Sequence, residues 1–582
     1  MRLIVVDSKS KQTQMLALIR KSNLSDVSVV SCDGNFCDFP KSSLGLDLKS
    51  FSVIWKNQDP QTIDSLGAKI AESSSVWSCM DPSPGGESLS FHVEVLASAA
   101  SKPFYVLRVV PWTVDLLLSS LASHSPVDMG LVNSYVARRM ISRVVDHLLS
   151  PIFSSKLSPV SLDVYTLPLL SELARAERQS RKPQSPASWI LRVLLEDGTW
   201  AESAPHDSMG PLNAIASRVR AASSEFTSTR ILEMPLAPFT LSSLLQFMSQ
   251  RYLVDTLSCV NACESLYSLG YITYPFTGND LLPLSVVQSI RSFVSKQFSS
   301  DLLSPDPLFT TSNSDGGMAI SPTSIDLLPS KLELAQDLKL VYSAIWFRAV
   351  GSQGKPSVSF KQERKFFLDS DEILSVRGKE TEVLGWHQLS SRIFEVVEGL
   401  PLTEGSPLVE SSVGRSPLKP SFRHTYGTLI RWMDDHHMSN PWAYRNALSR
   451  LSSNGLVSVL PGGQLSLTPF GETLVTLAKR FCSSLLDPSF VAEQEACVAQ
   501  VREGTLALPD FLSNYYDLVS SLAETLRPSI LRPPFSSPRT NEPLQVLLDD
   551  SGAPYAYSPS DSRKYPLVFD VKGKFSLKGD QI

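Results

Sequence analysis

The sequence Leu266-Tyr267-Ser268-Leu269-Gly270-Tyr271-Ile272-Thr273-Tyr274-Pro275-Phe276-Thr277, at residues 266–277, decides how the rest of the chain is interpreted. A helical pattern precedes it, and Gly270 is a typical residue to end a helix. The residues that follow predict a short extended segment that presents Tyr274 just before a proline turn. A phenol has an ordinary pKa of about 10, so Tyr274 becomes a nucleophile only beside cationic or hydrogen-bonding groups that stabilise its phenolate. From the spacing alone, packing is the commoner role of such a tyrosine.

Outward from this stretch, the pattern of apolar residues predicts a mixed α/β chain with several domains. Leu3–Val6 predicts a buried strand, and helical and strand patterns alternate after it, with another strand expected at Phe51–Trp55. Apolar residues at four-residue spacing predict an amphipathic helix over 131–152. Two helical patterns and a hairpin pattern at 456–467 indicate a winged-helix-like unit.

Composition restricts the class of protein. The 582 residues predict roughly four domains at about 150 residues each, and 42% apolar residues are enough to fill their cores. The 53 Lys and Arg against 58 Asp and Glu give a net charge of -5, so any nucleic-acid surface must be a local basic groove. Neither a membrane span nor a signal peptide is predicted, and the seven cysteines, which lack zinc-ribbon spacing, are expected as free thiols. We therefore expect a soluble, cytoplasmic protein.

Several motifs resemble one known family. Residues 266–277 are similar to the nucleophile motif of type IA DNA topoisomerases, G-Y/L-I-T-Y-x-R-T-D-S, and Tyr274 occupies the position of the catalytic tyrosine. Other stretches resemble the family in the same order along the chain, and Ile4–Lys11 is similar to the opening of a Toprim domain. Among these stretches are Asp128–Arg139, Pro238–Gln246 and Leu334–Arg348. The ordered matches cover roughly residues 1 to 525.

The resemblance implies a Toprim-like open α/β domain followed by a helical and β-rich toroidal core. The implied parts are a Toprim-like domain at 1–125, a helical arch segment at 126–180 that joins 415–525, a β-rich bridging region at 181–235 that joins 350–414, a domain with the candidate nucleophile at 236–349, a winged-helix-like helical region at 415–525, and a weakly ordered tail at 526–582.

The implied activity is ATP-independent relaxation of negative supercoils by a monomer. Tyr274 would attack single-stranded DNA and form a transient 5′-phosphotyrosyl link that allows strand passage. Lys11 matches a lysine of the family and is the candidate catalytic cation. The other candidates are Lys9, Arg138, Arg139 and Arg143 as phosphate contacts, Trp442 and Tyr444 as exposed aromatic residues for base stacking, and Asp7, Asp59 and Asp64 as ligands of Mg²⁺.

Departures from the family pattern keep a second function open. The arginine expected two positions after the tyrosine is Phe276, which cannot bind a phosphate through paired hydrogen bonds. The D-x-D-x-E acids, expected near Asn57–Asp64, are largely lost, and the H-E-A-I-R-P-T segment is replaced by Gly317–Thr323. The alternative is therefore a catalytically impaired, topoisomerase-like scaffold that binds single-stranded DNA or a protein partner.

Overall fold

A computed structural model provides the fold. It describes the chain except for residues 110–113, 155–159, 182–187, 197, 220, 312–316, 369, 391–407, 416–422, 439–440, 532–535, 543, 549–553, 559, 561, 570–574 and 578–582. The chain forms two compact units, and it passes from one to the other several times. The first unit comprises Met1–Glu177, Thr240–Asn279 and Arg423–Ile582, and the second comprises Arg178–Phe239 and Asp280–Phe422. The domain boundaries expected from the resemblance stay a prediction.

The described residues form strands and helices in both units. The strands are β1 (Arg2–Val6), β2 (Val27–Ser31), β3 (Cys37–Asp38), β4 (Lys56–Asn57), β5 (Ser75–Ser78), β6 (Phe104–Val106), β7 (Trp189–Leu195), β8 (Trp200–Ser203), β9 (Ala221–Glu233), β10 (Leu282–Pro283), β11 (Thr310–Thr311), β12 (Ser357–Leu368), β13 (Ile373–Val383), β14 (Leu408–Arg415), β15 (Val457–Val459), β16 (Leu465–Leu467), β17 (Gln545–Leu548), β18 (Pro554–Ser558), β19 (Arg563–Phe569) and β20 (Phe575–Leu577). The helices are α1 (Lys9–Ser22), α2 (Pro60–Glu72), α3 (Pro84–Ala99), α4 (Val114–Ala122), α5 (Met129–Phe153), α6 (Thr166–Arg181), α7 (Met209–Ala216), α8 (Leu241–Tyr252), α9 (Thr256–Ser268), α10 (Leu284–Gln297), α11 (Gln336–Gly351), α12 (His387–Ser390), α13 (Tyr426–Asp435), α14 (Pro441–Ser453), α15 (Pro469–Phe481), α16 (Pro488–Glu503) and α17 (Leu508–Leu531).

The first unit opens with a parallel sheet in the strand order β2-β1-β5-β6. Side chains of β1 alternate between two cores, so that Leu3 and Val5 pack in one cluster and Ile4 and Val6 in another. A sheet covered on both faces explains the unbroken apolar run of β1, and the strand predicted there is confirmed. The strand expected at Phe51–Trp55 is wrong: Val53 forms only an isolated bridge.

Helices complete the first unit. The amphipathic helix expected over 131–152 is confirmed as α5, which packs against α16 and α17. Tyr515 in α17 is buried and donates a hydrogen bond to the carbonyl of Ile141 at 3.2 Å. The helices α13 and α14 lead into the antiparallel pair β15 and β16, as the winged-helix-like pattern predicted. The strands β17 to β20, in the stretch expected to be a weakly ordered tail, form a sheet in that order.

The second unit is built on a six-stranded sheet in the order β14-β7-β8-β13-β12-β9. Its longest ladder pairs β9 with β12 in antiparallel register. Side chains of β7, β12 and β13 share one core, which includes Leu191, Phe366 and Leu374. Within the described ranges of both units, no helix is long and apolar enough to cross a membrane.

Candidate active site

The segment that carries Tyr274 lies in the first unit and is fixed at both ends. Helix α9 gives way to Gly270, whose φ of +79° is left-handed and suits glycine, and the N–H of Tyr271 closes the turn on the carbonyl of Leu266 at 2.9 Å. Three residues after Tyr274, the carbonyl of Thr277 accepts a hydrogen bond from the N–H of Leu241 at 3.0 Å. The extended piece is therefore held between the beginning of α8 and the end of α9.

Tyr274 is buried in an aromatic cluster, defined here as Tyr267, Tyr274, Phe276 and Trp442. Its ring meets that of Tyr267 edge-on at 5.4 Å and lies 5.8 Å from each of the other two rings. The rings of Phe276 and Trp442 are stacked at 4.5 Å with 8° between their planes. The side chain that replaces the expected arginine is thus half-buried against a tryptophan, two residues from the candidate nucleophile.

The phenol of Tyr274 is in its protonated form in this environment. Only 7% of the residue is exposed, and its hydroxyl makes no well-formed hydrogen bond among the residues that the structure describes. Burial raises the pKa of Tyr274 well above 10, and the negative charge of Asp81 raises it further, whereas the hydroxyl of Ser83 acts in the opposite direction. A substrate must therefore change the surroundings of Tyr274 before the phenolate can form.

A compact charged cluster, formed by Asp7, Lys11 and Asp81, lies beside the aromatic cluster. Asp7 follows β1 and Asp81 follows β5, and these neighbouring parallel strands end at the same edge of the sheet. The ammonium of Lys11 lies 2.5 Å from Asp7 Oδ2 and is also bonded to Asp81 Oδ1. The hydroxyl of Tyr267 donates to the same oxygen of Asp81, which links the charged cluster to the aromatic one.

Burial and charge determine the protonation of this cluster. For Lys11, burial by itself would lower the pKa, but Asp81 and Asp7 outweigh it and the pKa is raised. Burial raises the pKa of Asp81, and the nearby ammonium opposes that rise. The raised pKa keeps the Lys11 ammonium charged near neutral pH, between the carboxylates that follow β1 and β5.

The structure does not bring together the three acids that the sequence indicated. Asp59 is the N-cap of α2, where it accepts hydrogen bonds from the backbone N–H of Thr62 at 3.1 Å and its hydroxyl at 2.7 Å. Asp64 lies one turn further along that helix. Of the three, only Asp7 is among the described residues that line the cavity around Tyr274.

Asp81 is the functional candidate that the sequence analysis missed. It begins the segment Asp81-Pro82-Ser83-Pro84-Gly85, which follows β5 and fits the D-x-D-x-E spacing with its second acid replaced by Ser83 and its third by Gly85. The serine is the N-cap of α3, since its hydroxyl accepts from the N–H of Gly86 at 3.0 Å. The local signal in the sequence is the apolar pair Val76-Trp77, which is too short by itself to predict the strand β5.

These residues do not fit a magnesium site. Mg²⁺ prefers an octahedral shell of oxygens with one or more free carboxylates, whereas Asp7 and Asp81 are both bonded to the Lys11 ammonium. Throughout the described part of the chain, no group of three or more Asp, Glu, His or Cys residues is arranged to hold a metal ion. No step is therefore assigned to a bound cation.

The predicted DNA-binding cations all have partners within the protein. Arg138 pairs with Glu495 at 3.0 Å, and Arg139 pairs with Asp38 at 2.6 Å. Arg143 donates to backbone carbonyls, including that of Leu44 at 2.7 Å. The three arginines line the cavity, whereas Lys9 lies on the surface, with 81% of its side chain exposed and Asp33 at 3.4 Å. A DNA phosphate would have to exchange with these partners.

The two aromatic candidates differ in exposure. Trp442 is half-buried and lines the cavity. Tyr444 is only 2% exposed, and its hydroxyl donates to Asp434 at 2.5 Å. The description of Tyr444 as an exposed residue is therefore wrong, because it lies on the buried face of α14 with Ala447, Leu448 and Leu451.

Both clusters face one cavity of about 820 Å³ in the first unit. Its charged lining is balanced, with the five basic residues Lys11, Arg138, Arg139, Arg143 and Arg450 against the five acidic residues Asp7, Asp81, Asp146, Asp163 and Glu264. The lining can therefore bind a phosphodiester mainly through local exchange of ion pairs, with little attraction from net charge.

Comparisons with known proteins agree on one family. A family model described as DNA topoisomerase matches residues 126–513. The DNA topoisomerase 1 of Aquifex aeolicus is 23% identical over 528 residues, which cover 87% of this chain and 96% of that protein. The DNA topoisomerase 1 of Thermotoga maritima is 23% identical over 552 residues, or 90% of this chain and 85% of that protein. The solved structure of full-length topoisomerase I from Thermotoga maritima has a TM-score of 0.82 at 19% identity, covering 98% of this chain and all of that one, which establishes similarity of fold.

Proposed function

Because the chain belongs to the type IA DNA topoisomerase family, we propose that it uses Tyr274 to cleave and reseal single-stranded DNA and so relaxes negative supercoils. The observation that carries this proposal is the position of Tyr274, which is buried between the Phe276–Trp442 stack and the Asp7–Lys11–Asp81 cluster and lines the same cavity as both. The protein would act as a monomer on DNA in the cytoplasm, without ATP.

The proposed reaction is a transesterification that conserves the number of phosphoester bonds. A bond forms between Tyr274 Oη and phosphorus as the bond from phosphorus to O3′ breaks, which leaves the 5′ phosphate on the tyrosine. The phenol proton ends on O3′. We assign Asp81 to carry it, because this carboxyl lines the same cavity as Tyr274, is bonded to the Tyr267 hydroxyl beside the Tyr274 ring, and has its pKa raised by burial. The reverse reaction reseals the strand.

Two features of the cavity support single-stranded DNA as the substrate. The Lys11 ammonium provides a buried positive charge in the cavity that Tyr274 lines, where it would stabilise the charge that develops on the phosphate oxygens. The stacked rings of Phe276 and Trp442 offer an aromatic surface on which an unpaired base can stack. Bases within a duplex are already stacked and present no free face to such a surface.

A second candidate function is supported by the same site. Phe276, Ser83 and Gly85 stand where the family pattern has an arginine and two acids, and the pKa of Tyr274 is raised well above 10 by burial and by Asp81. Loss of one preorganised donor typically lowers a rate by about 10²- to 10³-fold. A scaffold that binds single-stranded DNA or a protein partner without cleavage is the function expected if nothing compensates for these losses.

A covalent-adduct assay separates the two functions. Protein is incubated with end-labelled single-stranded DNA, denatured, and resolved to detect labelled protein. We expect an adduct that disappears in Tyr274→Phe and persists in Tyr271→Phe, a matched control on the same segment that does not line the cavity. DNA binding with no adduct from the wild-type protein would refute cleavage and support the scaffold.

A further inference from the structure

The position of Lys11 bears on whether the proposed cleavage reaction needs a divalent cation, and this inference rests on the proposed function. A divalent cation in this fold would have to lie between the acids at the ends of β1 and β5, and the Lys11 ammonium is bonded to both of them. Only 8% of the Lys11 side chain is exposed, so the ammonium is enclosed within the protein. A cation bound to Asp7 and Asp81 would be in contact with this positive charge.

Positions 83 and 85, where the family pattern has its second and third acids, supply no carboxylate oxygens to a cation. Ser83 already accepts a hydrogen bond from the N–H of Gly86, and Gly85 has no side chain. Asp81 is further bonded to the hydroxyl of Tyr267. The two carboxylates are therefore occupied by protein donors, and a metal would have to displace the Lys11 ammonium and the Tyr267 hydroxyl from them.

We infer that the Lys11 ammonium replaces the divalent cation, so that this chain cleaves and reseals DNA without Mg²⁺. In this arrangement Asp7 and Asp81 hold the ammonium in place, and Lys11 donates to a non-bridging oxygen of the phosphate that Tyr274 attacks. The bonds formed and broken are those of the transesterification, and the metal contributes to none of them.

Direct titration with Mn²⁺ tests the inference independently of activity. Free Mn²⁺ is measured by electron paramagnetic resonance in the presence of the wild-type protein and two variants. In Lys11→Met the ammonium is removed, so both acids become available. In Ser83→Asp/Gly85→Glu the missing acids are returned: Asp is a good N-cap for α3, and a Cβ at Gly85 would lie 3.4 Å from Tyr135 Cε2, an ordinary contact.

We expect the wild-type protein to leave Mn²⁺ free up to millimolar concentration and each variant to bind it at least 10-fold more tightly. In the adduct assay, and in relaxation of negatively supercoiled DNA, which also requires resealing, the wild-type rate should be the same within twofold in EDTA and in Mg²⁺, and Lys11→Met should be at least 100-fold slower in both. Micromolar binding of Mn²⁺ by the wild-type protein, or loss of its adduct in EDTA, would overturn the inference. If no adduct forms under any condition, the proposed function fails, and the Mn²⁺ titration still decides whether the lysine occupies the place of the metal.

Discussion

Substituting Phe276 with arginine should accelerate adduct formation by Tyr274. The ring centres of these residues are 5.8 Å apart. A positive charge about 6 Å from a phenolate, at an effective dielectric constant of about 20, is worth about 3 kcal/mol, or about two pKa units. Because position 276 is half-buried, solvent screening reduces this value, and we expect the pKa of Tyr274 to fall by about one unit.

The expected gain combines this pKa effect with a contact to the substrate. A lower pKa by itself provides about 10-fold more phenolate near neutral pH, and a guanidinium that also binds the phosphate raises the total gain toward about 100-fold. Trp442 can stack against the planar guanidinium as it does against Phe276, which retains the side chain in the cavity.

The assay is the initial rate of adduct formation with end-labelled single-stranded DNA between pH 6 and 9. Phe276→Met is the matched control, because it removes the aromatic ring without adding charge. The rate for Phe276→Arg should exceed that for Phe276→Met by about 10- to 100-fold, and this ratio should stay nearly constant between pH 6 and 9, because the phenol of Tyr274 stays mostly protonated in both variants over this range. Equal rates for the two variants across this range would refute the reasoning.

Other residues of the first unit give three further predictions. His92 is buried among aromatic rings with neither ring nitrogen hydrogen-bonded to a described residue, and burial lowers its pKa from 6.5 to about 4. Between these two pH values the unfolded chain therefore binds more protons than the folded chain. The free energy of unfolding should fall by about 3 kcal/mol as the pH drops from 6.5 to 4. His92→Phe should remove that loss in thermal unfolding at pH 4.5, and a wild-type His92 resonance that titrates near 6.5 would contradict it. Trp442→Ala should weaken single-stranded DNA binding, measured by fluorescence anisotropy, by about 5- to 150-fold through lost stacking. Tyr444→Phe, which alters a buried hydroxyl, should bind DNA like the wild type. Equal losses of affinity in both variants would exclude a specific stacking role for Trp442. Arg143→Met should lower the free energy of unfolding by about 2 kcal/mol, because three backbone carbonyls lose a charged donor. An unchanged free energy of unfolding together with weaker DNA binding would instead support a direct contact between Arg143 and a DNA phosphate.

The long periodic elements could be predicted from the sequence, and the short strand before Asp81 could not. Apolar residues repeat through α5 over many turns, and β1 is apolar from Leu3 to Val6 because both faces of its sheet are covered. By contrast, β5 is Ser75-Val76-Trp77-Ser78, with a polar residue at each end. The hydroxyl of Ser78 is satisfied by that of Ser90 at 2.7 Å, a contact between distant elements that no local pattern reveals.

The predicted position of the D-x-D-x-E acids was wrong for a similar reason, because a local apolar pattern did not correspond to a strand. Phe51–Trp55 has the apolar pattern of a strand, and the D-x-D-x-E acids were expected after it, near Asn57–Asp64. Phe51 has a φ of +50°, which is incompatible with an extended strand at that point, and Asp59 instead begins a helix. Tyr274 and Lys11 were found because short motifs marked them, whereas Asp81 depends on which strands become neighbours in the sheet.

The packing of α5 against helices from the far end of the chain determines how long this helix waits for them during synthesis. The sheet β2-β1-β5-β6 needs only residues up to Val106, so it can form early in synthesis. Helix α5 ends at Phe153, but its partner α16 begins only at Pro488. At about 5–20 residues per second, that interval lasts roughly 20 to 70 s. During this time the apolar stripe of α5 is without its final partners, and a nascent chain paused between these two helices should be a strong client of ribosome-associated chaperones.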